Sequence, residues 1–132
     1  MADKKVKVTH INADTGPKPK GGYSQAVLIQ HPVRTLYISG QIPETSSGEV
    51  PTVFESQCRL VWLNVLAQLE AAEMSVEDLT KVTILLSSRE YADANSRIRQ
   101  EILGEHRPAL TILIVKIFDE KWLLEVEAVA VK

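Results

Sequence analysis

The sequence has little of what usually announces a catalytic or metal centre. One cysteine, Cys58, stands among 132 residues, so no intramolecular disulfide is available and a reducing compartment is expected. The three histidines, His10, His31 and His106, are scattered without ligand spacing, and no HExxH, CxxC or Walker pattern occurs, so no metal is expected. Gly21-Gly22 is a bare pair, not a phosphate-cradling loop, and no GxSxG elbow marks a nucleophilic serine. No apolar run approaches the ~20 residues of a membrane helix. Met1 to Thr9 is Lys-rich and has no signal-peptide apolar core. Charge of one sign is missing too: 15 basic against 17 acidic residues give −2, with a pI near 5.9. That balance supplies no positive field for phosphate backbones. The expectation is a cytoplasmic protein without membrane or nucleic-acid partners.

What is present is an ordinary globular mixture, 45% apolar and 24% charged. The length fits one domain over residues 1–132, burying roughly two-thirds of its unfolded surface. Val6, Val8 and His10 alternate with polar residues and predict a first strand. A Gly/Pro-rich loop follows over Asn12–Gly22. Ser24–Gln30 and Thr35–Gln41 read as two strands, paired antiparallel across the short His31–Arg34 link. Thr52 with Glu55 has the spacing of a capping box. Phe54, Cys58, Val61, Val65, Leu69 and Ala72 then form one apolar stripe, predicting a helix over about Val53–Glu73. Leu79–Leu86 is a β-branched, apolar strand. Ser87 and Glu90 open a second helix over Arg89–Leu103, which Gly104 stops. Leu110–Ile117 and Trp122–Val131 are the last strands.

The order is βββαβαββ. Two helices cover only one face of a sheet. Yet Leu110–Val115 is apolar on both faces, and the last strand carries Leu123, Glu125, Glu127, Val129 and Val131 opposite its inner residues. A partner subunit is the simplest cover for that second face. Cys58, on the helix stripe, reads as a buried inert thiol. Trp62 falls off the stripe and is expected to face a neighbouring element, and the histidines are expected to face solvent.

Several strings, in order along nearly the whole chain, resemble one family. Gly21-Gly22-Tyr23-Ser24-Gln25-Ala26-Val27 is similar to the GPYSQAV opening of the RidA/YjgF family, also called the endoribonuclease L-PSP family. Ser39-Gly40-Gln41-Ile42-Pro43 matches its SGQIP signature, and Gly48-Glu49-Val50 its TGEV turn. Gln57, Asn64 and Val65 fit its first helix, Tyr91 to Asn95 its second-helix opening, His106-Arg107-Pro108-Ala109 its HRPAR segment, and Glu125 to Ala130 its EIEAIA strand. The resemblance implies an α+β, chorismate-mutase-like fold, one mixed sheet with two helices on one face. It implies a homotrimer with a small-molecule cleft between subunits, and hydrolysis of reactive imines or enamines to keto compounds and ammonia. No cofactor or metal is implied.

Such chemistry needs a water held by a proton acceptor, a cation for the substrate carboxylate and a few orienting polar groups. Carried over by motif, Glu125 and Ser39 are the catalytic candidates, with Tyr23 and Asn95 binding substrate. The family's clamping Arg does not carry over: Leu110 stands in its place. Activity on standard 2-imino acids is therefore doubtful, at an expected loss of several kcal/mol of binding. Arg107 is a candidate substitute, but its odd offset from Leu110 puts it on the opposite face of an extended chain. Arg34, Arg97 or a neighbouring subunit's basic group are the other sources. Gly22, where the family commonly has Pro, is a second departure. The competing reading is a non-catalytic ligand-binding or regulatory trimer, and a ribonuclease or translation inhibitor comes third.

Overall fold

The alternating pattern of the last strand organises the molecule. In a computed structural model, which describes residues 4–132, that strand is β6 (Leu124–Val131). Leu124, Val126, Ala128 and Ala130 are buried, while Glu125, Glu127, Val129 and Val131 lie on the other side. β6 is central in a four-stranded sheet ordered β3-β6-β4-β5, with β3 over Thr35–Gln41, β4 over Leu79–Leu86 and β5 over Ala109–Ile114. It runs antiparallel to both β3 and β4, and β4 runs parallel to β5. Helices α1 (Phe54–Ala71) and α2 (Ala92–Leu103) close the inner face. Phe54, Cys58, Val61, Val65 and Leu69 are buried, as their spacing predicts. Fully burying a leucine here contributes about 1.5–3 kcal/mol. Gly104 ends α2 at φ +59°, where a side chain would be strained. The α+β architecture is thus present in the expected element order. No helix among the described residues is long and apolar enough to cross a membrane.

The first strands depart from expectation. Ser24–Gln30 was expected to pair with β3. Instead β2 (Ala26–Gln30) pairs antiparallel with β1 (Lys7–Ile11), and the two form a separate sheet. The strands thus lie in two sheets, not one. The start of β2 reaches the far side of the larger sheet through a parallel bridge between Ser24 and Ala109. The reason lies in the His31–Arg34 link. His31 has φ +56°, which turns the chain. Val33 and Arg34 donate their N–H groups to the Lys132 carbonyl, and the Arg34 guanidinium donates to the Ala72 and Glu73 carbonyls. The link is tied to the end of β6 and of α1, so it does not close a hairpin.

Smaller departures lie at the element ends. The Thr52–Glu55 box does not form; Val53 is the N-cap, without a side-chain bond, and Glu55 pairs with Arg97 at 2.7 Å. At α2, Ser88 rather than Ser87 accepts the Glu90 N–H, and a 3-10 turn over Arg89–Tyr91 precedes the helix. β5 ends at Ile114, and β6 begins at Leu124. Trp62, off the stripe, is fully buried. His106 is half-buried and bonds the Leu79 carbonyl through Nε2 at 2.7 Å.

Candidate active site

The residue pairing of β3 and β6 slips between Ile38 and Gln41. Gly40 sits in that irregular stretch. A Cβ there would stand 2.7 Å from the Glu125 carboxyl carbon and 3.0 Å from its Cγ. The Glu125 side chain therefore lies directly over the Gly40 backbone, in space that any other residue at position 40 would fill. Ser39 precedes Gly40 in β3 and, with Glu127, lines the open face of the sheet on which Glu125 also lies. Burial pushes the Glu125 carboxyl above the usual carboxylate range, and the neighbouring Glu127 charge adds to the shift. Among the described residues, the ion pairs are Arg59–Glu101, Arg97–Glu55 and Arg97–Glu101. None neutralises Glu125. Ser39, Lys81, Thr83 and Glu127 line an adjoining recess of ≈ 260 Å³, with the Lys81 ammonium bonded to the Thr111 hydroxyl at 2.7 Å.

The remaining candidates stand elsewhere. Leu110 pairs with Val82, so both point to the helix side, where Leu110 packs against the core. Asn95, on α2, is fully buried, and neither its Oδ1 nor its Nδ2 has a hydrogen-bond partner among the described residues. Tyr23 is half-buried in the loop before β2, its hydroxyl accepting the Lys20 N–H at 3.1 Å. Tyr23 and Arg107 share a recess of ≈ 400 Å³ with His10 and Glu105. Arg107 precedes β5 and folds back, its Nη1 donating to the Gly104 and His106 carbonyls. Within one chain, then, Ser39 and Glu125 occupy the open face, and Asn95 and Leu110 the helix side. Another recess, ≈ 650 Å³ between the ends of α1 and α2, contains none of these residues.

Two of the other cations considered for the Leu110 position are used structurally. Arg34 caps α1 and Arg97 holds two surface carboxylates. The cation that sequence reasoning missed is Arg99. It is 3% exposed, on the same face of α2 as Asn95 and one turn further on. Burial holds its guanidinium below the ordinary value; Tyr23 opposes this shift and Arg107 adds to it. A charged residue inside the stripe Asn95, Ile98, Arg99, Leu103 was the available signal. Cys58 is fully buried, and burial pushes its thiol up to about 12, which makes it inert. No group of three His, Cys, Asp or Glu among the described residues is placed to hold a metal ion.

Known proteins share both sequence and fold with this chain. The RutC family protein PH0854 of Pyrococcus horikoshii is 36% identical over 124 residues, covering 92% of this chain and 96% of that protein. The 2-iminobutanoate/2-iminopropanoate deaminase of Rattus norvegicus is 31% identical over 124 residues, covering 92% and 88%. Among solved structures, the Rid-family protein YyfB of Yersinia pestis superposes with a TM-score of 0.82 at 26% identity, covering 95% of this chain and 98% of that one. The family model described as endoribonuclease L-PSP matches residues 13–132, a span that holds the Tyr23, Ser39 and Glu125 motifs alike. On that match and those relatives, the chain belongs to the endoribonuclease L-PSP family, the RidA/YjgF group.

Proposed function

We propose that this protein is a hydrolytic deaminase of small reactive imines or enamines, working as a cytoplasmic homotrimer with its ligand cleft between subunits. The observation that carries the reading is the Glu125 carboxylate, partly buried over Gly40 and without an ion pair among the described residues. A carboxyl group with a raised proton affinity is suited to general-base work near neutral pH. In the reaction Glu125 takes a proton from water as the oxygen attacks the imine carbon. The Ser39 hydroxyl orients that water or the imine nitrogen, and Glu125 passes the proton to that nitrogen, giving a carbinolamine; the carboxylate then moves the carbinolamine hydroxyl proton to the nitrogen as the C–N bond breaks and the C=O bond forms. The imine and one water become a carbonyl compound and ammonia. The relative named as a 2-iminobutanoate/2-iminopropanoate deaminase supports this reaction class.

The trimer reading rests on the open sheet face, where Tyr37 is 78% and Leu113 47% exposed, and on the placement of the candidate residues on both faces. Leu110 contributes no charge, so any carboxylate is held by another group. The reading is tested by generating 2-iminobutanoate from threonine with a dehydratase and trapping it with semicarbazide. Added protein should suppress the trapped product, with another cation standing in for the Arg that Leu110 replaces, and Glu125→Gln should abolish the suppression. Equal suppression by both proteins refutes Glu125 as the base. No suppression, with ligand still bound, favours the non-catalytic trimer.

A further inference from the structure

Arg99 presents a buried charge without a counter-charge among the described residues. Neither its Nε nor its Nη1 has a hydrogen-bond partner among the described residues, and the side chain is 3% exposed. A guanidinium stays ionised, and burying one unpaired is costly, so such a group persists where something else neutralises it. Asn95 repeats the pattern one turn earlier, with both amide atoms unpartnered. Above them lies the Gly21-Gly22 loop. A Cβ on Gly21 would stand 3.7 Å from the Arg99 Nη2, and one on Gly22 would stand 3.7 Å from the Arg107 guanidinium carbon and 3.3 Å from the Gln100 Cγ. The loop backbone thus lies against both guanidinium groups. Tyr23 follows directly. Its oxygen accepts the Lys20 N–H, which leaves its own proton to donate. Arg107 uses Nη1 on two carbonyls, and its Nη2 makes no bond among the described residues.

We propose that Arg99, with Tyr23 and the free edge of Arg107, forms a binding site for the carboxylate of a small organic monoanion beneath the Gly21-Gly22 loop. The carboxylate would accept from the Arg99 Nη2 and the Tyr23 hydroxyl, with the remaining charge of Arg107 beside it. Glu105 lines the adjoining recess with Tyr23 and Arg107. Its charge disfavours a dianion and selects a ligand with one negative charge. The site rests on the deaminase reading only for the identity of the molecule that carries the carboxylate.

The test uses the full chain and 2-oxobutanoate, with uncharged 2-oxobutanamide and inorganic phosphate as comparison probes, read by titration calorimetry. Saturable binding of 2-oxobutanoate is expected, with no measurable binding of the amide and weaker binding of phosphate. Arg99→Met should weaken 2-oxobutanoate at least tenfold, and Arg99→Lys less. Because the methionine removes an uncompensated buried charge, Arg99→Met should also melt higher than wild type while losing the rise in Tm that the ligand confers. Unchanged affinity in Arg99→Met, equal binding of the amide, or phosphate matching 2-oxobutanoate overturns the proposal. So does a lower Tm or a smaller assembly by light scattering in Arg99→Met with binding intact, which assigns the guanidinium to packing. Turnover of imines without 2-oxobutanoate binding overturns this site and leaves the deaminase reading. Binding without turnover supports the site and removes that reading.

Discussion

Placing a methyl group on Gly40 separates the chemistry of Glu125 from the stability of the sheet that carries it. The added Cβ of Gly40→Ala would stand 2.7 Å from the Glu125 carboxyl carbon and 3.0 Å from Cγ. Both distances lie well inside carbon–carbon contact at roughly 3.5–4.0 Å. The Glu125 side chain must swing away, and it loses the burial that raises its proton affinity. A displaced general base costs about 10²–10⁴ in rate, which is about 3–5 kcal/mol at the transition state. Stability moves the other way or hardly at all. The positive-φ glycines are Gly48 and Gly104, not Gly40, so alanine adopts the backbone without strain. Replacing glycine there should stabilise by about 0.4–1 kcal/mol through the unfolded chain, offset by what the displaced carboxylate disturbs. The assay pairs dehydratase-coupled trapping with urea unfolding. Titration of the Glu125 carboxyl carbon by 13C NMR provides a readout independent of turnover. Expected are a loss of at least a hundredfold in suppression of the trapped product, an unfolding free energy within about 1 kcal/mol of wild type, and a Glu125 titration moved back toward the ordinary range. In Gly40→Ala/Glu125→Gln the losses should not add, because both changes remove one group. Full activity in Gly40→Ala, or additive losses in the double variant, would refute the placement of Glu125 as base.

The pH dependence has a definite sign. Because Glu125 is raised in the folded state, its contribution to stability is present at low pH and is lost as pH rises through the folded value. Glu125→Gln should therefore stabilise at neutral pH but not in acid, as unfolding at two pH values will show. The acid limb of the rate profile should lie above the ordinary carboxylate range, and Glu127→Gln should lower its midpoint by removing the second cause. Gln57→Ala should destabilise by about 2–4 kcal/mol. Gln57 is buried and holds the Pro51 and Lys121 carbonyls and the Leu123 N–H at 2.7, 2.9 and 2.8 Å. A loss below about 1 kcal/mol in urea unfolding would show those bonds to be replaced by water.

The elements legible in the sequence were those set by periodicity. The α1 stripe and the alternation of β6 follow from burial of one face, and that alternation alone put Glu125 opposite the core. Pairings decided by longer-range competition were not legible. The His31–Arg34 link has a hairpin's length, but its N–H groups go to Lys132 and its guanidinium to the end of α1, neither of which a local window contains. Thr52 and Glu55 have capping spacing, yet Glu55 is drawn to Arg97, 42 residues away in sequence. At the site, the motif strings marked Ser39 and Glu125. Only the structure shows that Glu125 lies over Gly40, the residue that follows Ser39. Arg99 stands within the buried stripe Asn95, Ile98, Arg99, Leu103, but an arginine on a helix is usually solvated, so the stripe alone does not mark it as a site residue.

The separation of these groups leads to one last consequence. Glu125 is on the open face of the sheet, and Arg99 is in the helix layer on the other side. A sheet with its side-chain layers is about 10 Å thick, so one small molecule cannot touch both groups of a single chain through it. If Glu125 acts as base and Arg99 holds the carboxylate, the two must come from different subunits. Glu125→Gln and Arg99→Met are then complementary defects. Each alone should be nearly inactive. Dissociated, mixed in equal amounts and reassembled, they should regain activity, because one interface can combine an intact Glu125 from one chain with an intact Arg99 from the next. Random mixing in a cyclic trimer leaves about a quarter of the interfaces with both groups intact, so recovery should approach about a quarter of wild type. Mixing without dissociation should recover nothing. A reassembled mixture no more active than its parents would show that the two groups do not serve one cleft.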